Sequence, residues 1–266
     1  MCRMTLVALA WLLVASAASA KEISKPYFAQ TIVTGTVEPE RTRGFQAGLR
    51  DVFVKLTGDV ALAENPLLEP ALSEPHRFVE SFEYEDRMKG IPVHDEQGTR
   101  ERPHFLRINF KPAEIEKELK RLNLTRWPTD RPILGVWLGI EAANGRYVLE
   151  ASGPRGFGQR SVIVETAERR GVPIVLPSGH DAAMHVNFAD VENKNIQQLK
   201  ATAPSVDAVL CGVLSVTENG YWNIDWVFDW KDRSQAWSLQ DVSFDTALKD
   251  GLHTAVEIFS RQSESD

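Results

Sequence analysis

Residues 206–230, VDAVLCGVLSV-TENG-YWNIDWVFDW, carry the pattern that decides the fold. The first eleven read as a strand built on the apolar run AVLCGVL. Glu218-Asn219-Gly220 supplies a turn. The last ten form an antiparallel partner that alternates: Trp222, Ile224, Trp226, Phe228 and Trp230 share the inward face, while Asn223, Asp225 and Asp229 share the outward one. That tryptophan stripe reads as core. A carbohydrate-stacking platform would need the same face exposed to water.

Working outward, residues 132–140 form a near-continuous apolar strand, as a central one requires. Residues 147–151 pair with it across a turn at Asn144-Gly145. Helices are predicted at 161–170, stopped by Gly171, and at 191–201, with a short buried strand at 172–176 between them. A strand at 236–242 precedes a closing helix with Phe244, Leu248, Leu252, Ala255, Val256 and Phe259 along one stripe.

Upstream, YFAQTIVTGTV at residues 27–37 reads as a strand. Pro39 opens a helix with Phe45, Leu49, Val52, Phe53 and Leu56 at helical spacing and Gly58 as its stop. A second helix is expected at 66–72, resuming through Phe78 and Val79. Strands at 82–87 and 104–110 flank the loop GIPVHDEQGTRERP, and a short helix follows at 114–122. The class is therefore α/β (α+β) with two small mixed-sheet domains at 21–124 and 132–262. The linker 125–131 lies within the proline-bearing stretch LNLTRWPTDRP. Trp127 sits in this join, wedging the two halves together or lining a cleft between them.

The N-terminus gives the compartment. Arg3 is the only charge in the first 20 residues, residues 5–17 are apolar or small, and Ala18-Ser19-Ala20 precedes Lys21-Glu22. This is a secretory signal peptide with cleavage after Ala20, between small-x-small Ala18/Ala20 and Lys21. Its apolar run of about 13 residues falls short of the roughly 20 that span a membrane. Cys2 precedes that run, so it does not mark a lipid anchor. Cleavage leaves Cys211 as the one cysteine, without a disulfide partner; it reads as a buried, inert thiol. The expected location is the periplasm, and the mature chain is expected to be soluble.

The net charge of −7 becomes −8 once Arg3 is removed, and no basic stripe offsets it. Such a chain is a poor nucleic-acid binder. Arg41, Arg43, Arg50 and Lys55 share one predicted helix but are interleaved with Glu40 and Asp51, which reads as a solvated face.

Several residues together carry a resemblance. They are the Lys55-Leu56-Thr57-Gly58 helix end, Trp127 with Arg131-Pro132 and Trp137, Arg170-Gly171 leading to Leu176-Pro177, Gly212, and the Trp222/Trp226 strand. Over roughly residues 25–260 the chain resembles the exported bacterial proteins grouped as domain of unknown function 2066. That resemblance implies no activity and no site residue. The element order of the second half also looks like small envelope modules such as the N-terminal domain of TolB, a likeness of fold that does not specify function.

Candidate chemistry is sparse. The turn Gly153-Pro154-Arg155-Gly156-Phe157-Gly158 enters a helix and could present N–H groups to an anion with Arg155 or Arg160, but it matches neither phosphate-loop nor dinucleotide spacing. His180, Asp181 and His185, with Asp190 nearby, have a His–His spacing of five where a helical zinc site uses four. Asp225 and Asp229 lie about 13 Å apart along a strand, beyond the reach of a glycosidase pair. No catalytic, cofactor-binding or metal residue is assigned and no cofactor is expected. The sequence points to a non-enzymatic binding or adaptor module of the envelope with an envelope protein as partner. The alternative is a periplasmic hydrolase whose site is assembled at the interdomain cleft.

Overall fold

A computed structural model describes residues 21–90, 101–179 and 185–263. The signal-peptide reading, with Ala18 and Ala20, lies outside the described residues, as do His180 and Asp181. The N-terminal half contains β1 (Lys21–Glu22), β2 (Phe28–Thr34), α1 (Glu40–Thr57), α2 (Glu69–Leu72), β3 (Val79–Asp86), β4 (Pro103–Phe110), α3 (Pro112–Arg121) and β5 (Asp130–Arg131). The C-terminal half contains β6 (Leu134–Ala142), β7 (Gly145–Val148), α4 (Phe157–Arg170), β8 (Ile174–Val175), α5 (Phe188–Glu192), α6 (Ile196–Thr202), β9 (Ala208–Val216), β10 (Trp222–Trp230), β11 (Arg233–Val242) and α7 (Phe244–Ser263). The chain is mixed α/β, as its periodicities require.

The C-terminal sheet runs β11-β10-β9-β6-β7, with β8 beside the start of β6. β6 is parallel to β8 and β9, and the other pairs are antiparallel. One face packs Leu134, Val136, Ile224, Trp226 and Phe228 against Ile163 and Ala167 of α4 and Leu248, Leu252 and Phe259 of α7. The other sets Trp137, Val209 and Cys211 beneath Val191 and Leu199 of the α5–α6 segment. The tryptophan stripe is core: Trp226 and Trp230 are buried, and Trp226 Nε1 donates to Ala247 O at 3.1 Å. Cys211 is buried, and burial pushes its thiol up to about 12, so it stays protonated and unreactive.

The N-terminal sheet is smaller and antiparallel throughout, in the order β2-β4-β3. Ala29, Val33, Leu106, Ile108 and Phe110 face Phe45, Leu49, Val52 and Phe53 of α1. On the opposite face Phe28, Gln30 and Ile32 stand beside Asn109, Arg107 and Phe105, their cross-strand partners.

Two expected helices are corrected. Residues 66–79 form 3-10 turns at Pro66–Leu68 and Pro75–Phe78 around the four-residue α2, because Pro66, Pro70 and Pro75 each remove a helical N–H. Residues 191–201 split into α5 and α6, because Lys194 adopts a left-handed φ of 52° and Ile196 N–H turns back to Lys194 O.

A candidate strand-binding cleft

Several charged side chains meet where the two halves touch. α1 ends at Gly58 (φ 74°) and α4 at Gly171 (φ 65°), left-handed positions that glycine adopts without strain. A Cβ at Gly58 would stand 2.4 Å from Ser260 and one at Gly171 2.7 Å from Arg131, so both ends are also too crowded for a side chain. Arg131, fully buried, bridges these two helix ends. Its Nη2 donates to Lys55 O at 2.6 Å and its Nη1 to Arg170 O and Gly171 O, both at 2.9 Å. The carbonyls at a helix C-terminus lack intrahelical donors and carry the negative end of the dipole, so they offset a guanidinium that has no carboxylate. Burial pushes Arg131 down to about 9, still charged at neutral pH. Its guanidinium lies 3.7 Å from the Trp127 ring centre, and Trp127 N–H donates to Leu56 O at 2.8 Å. Trp127 is buried as a wedge and does not line the cleft.

Asp51 of α1 crosses to the other half. Its Oδ1 accepts from Arg170 Nη1 at 2.9 Å, and its Oδ2 from Arg169 Nε at 2.9 Å. Arg170 Nε donates to His253 Nε2 at 3.2 Å. Burial, followed by the charges of Arg170, Lys249 and Arg169, holds His253 down at about 4. It is a neutral acceptor at physiological pH.

Lys55 and Asp51, expected on a solvated face, are each only 5 % exposed. α1 packs against the N-terminal sheet on one side and α4 on another, so its second half is buried all round. Arg41, Arg43 and Arg50 do make surface pairs, with Glu38, Glu40 and Glu69. The available signal for Lys55 was the run Val52-Phe53-Val54-Lys55-Leu56, apolar in every direction around a helix.

Beside this junction lies a cleft of about 640 Å³, within the roughly 300–1,000 Å³ typical of ligand sites. One wall is β2 from Phe28 to Ile32, another is Ala47, Asp51 and Lys55 of α1, and the far wall is α4 with residues 171–174. Side chains alternate along a strand, so five consecutive residues line one cavity only along the strand's edge. The register shows which groups that edge presents. Phe110 N–H donates to Tyr27 O and Gly35 N–H to Arg102 O, so odd-numbered residues bond to β4. The N–H and C=O of the even residues Gln30, Ile32 and Thr34 point the other way, at the free edge. Phe28 N–H is satisfied by Lys25 O, and Phe28 O accepts from Lys55 Nζ at 2.8 Å. Burial lowers Lys55 to about 8, against an opposing pull from Asp51.

The other sequence candidates among the described residues take no part. Arg160 donates to Glu150 O, Gly153 O and Arg155 O, tying the glycine loop to itself, and Arg155 lies over Tyr147. Asp229 pairs with Lys200 at 2.5 Å, and Asp225 is exposed. Among the described residues no group of three His, Cys, Asp or Glu side chains is placed to hold a metal ion. Among them, no helix is long and apolar enough to cross a membrane.

Residues 20–128 match a family described as Domain of unknown function (DUF8605). The match covers less than half of the 266-residue chain, so the N-terminal half is similar to an uncharacterised domain. No curated protein matches the chain.

Proposed function

We propose that this chain is an exported binding or adaptor protein of the cell envelope, cleaved after Ala20, that holds an extended segment of an envelope protein in the cleft beside β2. The observation that carries this reading is the row at Gln30, Ile32 and Thr34, unpaired among the described residues, of which Gln30 and Ile32 line a cavity of ligand size. A strand edge offers main-chain donors and acceptors to any extended peptide, and the pockets beside it select side chains. Export rests on the leader pattern of residues 1–20 and fits the likeness to domain of unknown function 2066. The two-domain division at 125–131, the TolB-like character of the second half and the exclusion of nucleic acid belong to the same proposal.

A hydrolase in the same cleft is the competing reading, favoured by the depressed Lys55 amine. Against it, both oxygens of the neighbouring Asp51 are occupied by Arg169 and Arg170.

Two measurements test the proposal. Fractionation followed by N-terminal sequencing is expected to find a periplasmic chain beginning at Lys21; full-length protein in the cytosol would contradict it. A fluorescein-labelled hexapeptide library of Val, Thr, Ile and Ser is expected to raise its anisotropy saturably with residues 21–266. Ile32→Pro, which deletes one free-edge donor, should weaken that binding at least about tenfold. No saturable binding by the parent protein would sink the strand-binding reading.

A further inference from the structure

The cleft has a direction, fixed by charge at the two ends of β2. Lys25 and Lys55 flank Phe28 at its start: Lys25 Nζ lies 5.2 Å from the Phe28 ring centre, and Lys55 Nζ bonds the Phe28 carbonyl. Just past its other end, Glu101 packs against Gly35. A strand added antiparallel to β2 finishes beside Phe28, whereas a parallel one finishes near Gly35.

The junction is also short of anions. Among the described residues it buries Lys55, Arg131 and Arg170 against the one buried carboxylate of Asp51. Asp51 is taken by Arg170 and by Arg169, and Arg131 by the two helix ends. Among the described residues Lys55 keeps one neutral acceptor for its three N–H groups, and it lines the cavity. The charged groups that act on it are Asp51, Arg131, Glu168 and Arg170, and none of them accepts a hydrogen bond from its ammonium. A buried ammonium so placed is stabilised by an arriving carboxylate.

Resting on the strand-binding reading above, we infer that the occupant is the C-terminal segment of another protein, running antiparallel to β2 and ending with its free α-carboxylate on Lys55. The cleft then reads a chain terminus: β2 holds the last residues by their main chain, and the ammonium verifies that the chain stops there.

The test uses the same hexapeptide library in two forms, both carrying the fluorescein on the amino terminus, one ending in the free acid and one in the carboxamide. Titrated into residues 21–266, the free acid is expected to bind at least about tenfold more tightly. Equal affinities would overturn the carboxylate inference and leave the strand-binding reading standing. Binding by neither form would overturn both. Lys55→Met should bring the two forms to equal affinity. A preference for the acid that survives Lys55→Met overturns the assignment to Lys55. Tighter binding of the carboxamide than of the free acid would place the peptide's end beside Glu101, as in a parallel strand, and would overturn the proposal as well.

Discussion

β2 and β11 are both edge strands, and they treat their edges in opposite ways. β11 is polar and mostly exposed, bears Arg233 and Asp241, and is irregular: its register with β10 shifts between Trp222 and Ile224, and Asp241 sits at φ 53°. Charge and irregular pairing are how sheets keep other strands from adding on. At its outward positions β2 has Phe28, Gln30, Ile32 and Thr34, none charged, with Ile32 55 % exposed and an unshifted register to β4. The exposed edge of β11 is thus protected against strangers, while that of β2 is left fit for pairing and recessed in a cleft.

The comparison breaks first if the cleft loses its far wall. Asp51→Ala removes the carboxylate that ties α1 to Arg169 and Arg170 and leaves Arg170 buried without it. The expected loss is about 3–5 kcal/mol by urea unfolding, and peptide binding should go with it. A loss under about 1 kcal/mol would mean that the junction does not depend on this pair.

Two neighbouring prolines in β2 sharpen it. Thr31→Pro deletes a ladder donor to β4 and a buried side chain, for an expected cost of roughly 2–3 kcal/mol. Ile32→Pro deletes a donor that faces the cleft, and unfolding should register under about 1 kcal/mol. Equal costs would show that the two edges of β2 are not distinct.

Between these lies a pH effect at the junction. His253 is held at about 4 in the folded chain against about 6.5 when unfolded. Between those values the unfolded chain takes up a proton that the folded chain refuses, so stability falls as pH drops through the window, by about 3 kcal/mol in all, of which about 2 kcal/mol falls between pH 7 and pH 4.5. Comparing unfolding at pH 7 and pH 4.5, His253→Gln should lose less than the parent by that amount. Identical losses would show that His253 is not held neutral.

Sequence made the covered sheet legible and left the cleft nearly silent. The alternation of residues 222–230 identified a buried stripe correctly, because burial of one face leaves a period-two mark on composition. Enrichment in β-branched and aromatic residues located β2. Alternation reports faces, however, and carries nothing about which strand lies beside an edge, so the free groups at Gln30, Ile32 and Thr34 left no trace. Asp51 and Lys55 were misread because charges interleaved on a helix look solvated when one packing partner is assumed, and α1 has two. For Trp127, just ahead of Pro128 and Pro132, sequence left wedge and cleft lining both open, and burial beside Arg131 decides between them.

Residue-resolved hydrogen exchange along β2 tests the central claim most directly. In the free protein Ala29, Thr31 and Val33 should exchange slowly through their bonds to β4, with Gln30, Ile32 and Thr34 fast. Saturating free-acid hexapeptide should slow Gln30, Ile32 and Thr34 to the rate of their neighbours. If those three amides are already slow without peptide, or stay fast with it bound, the edge is not where this protein takes hold of its partner.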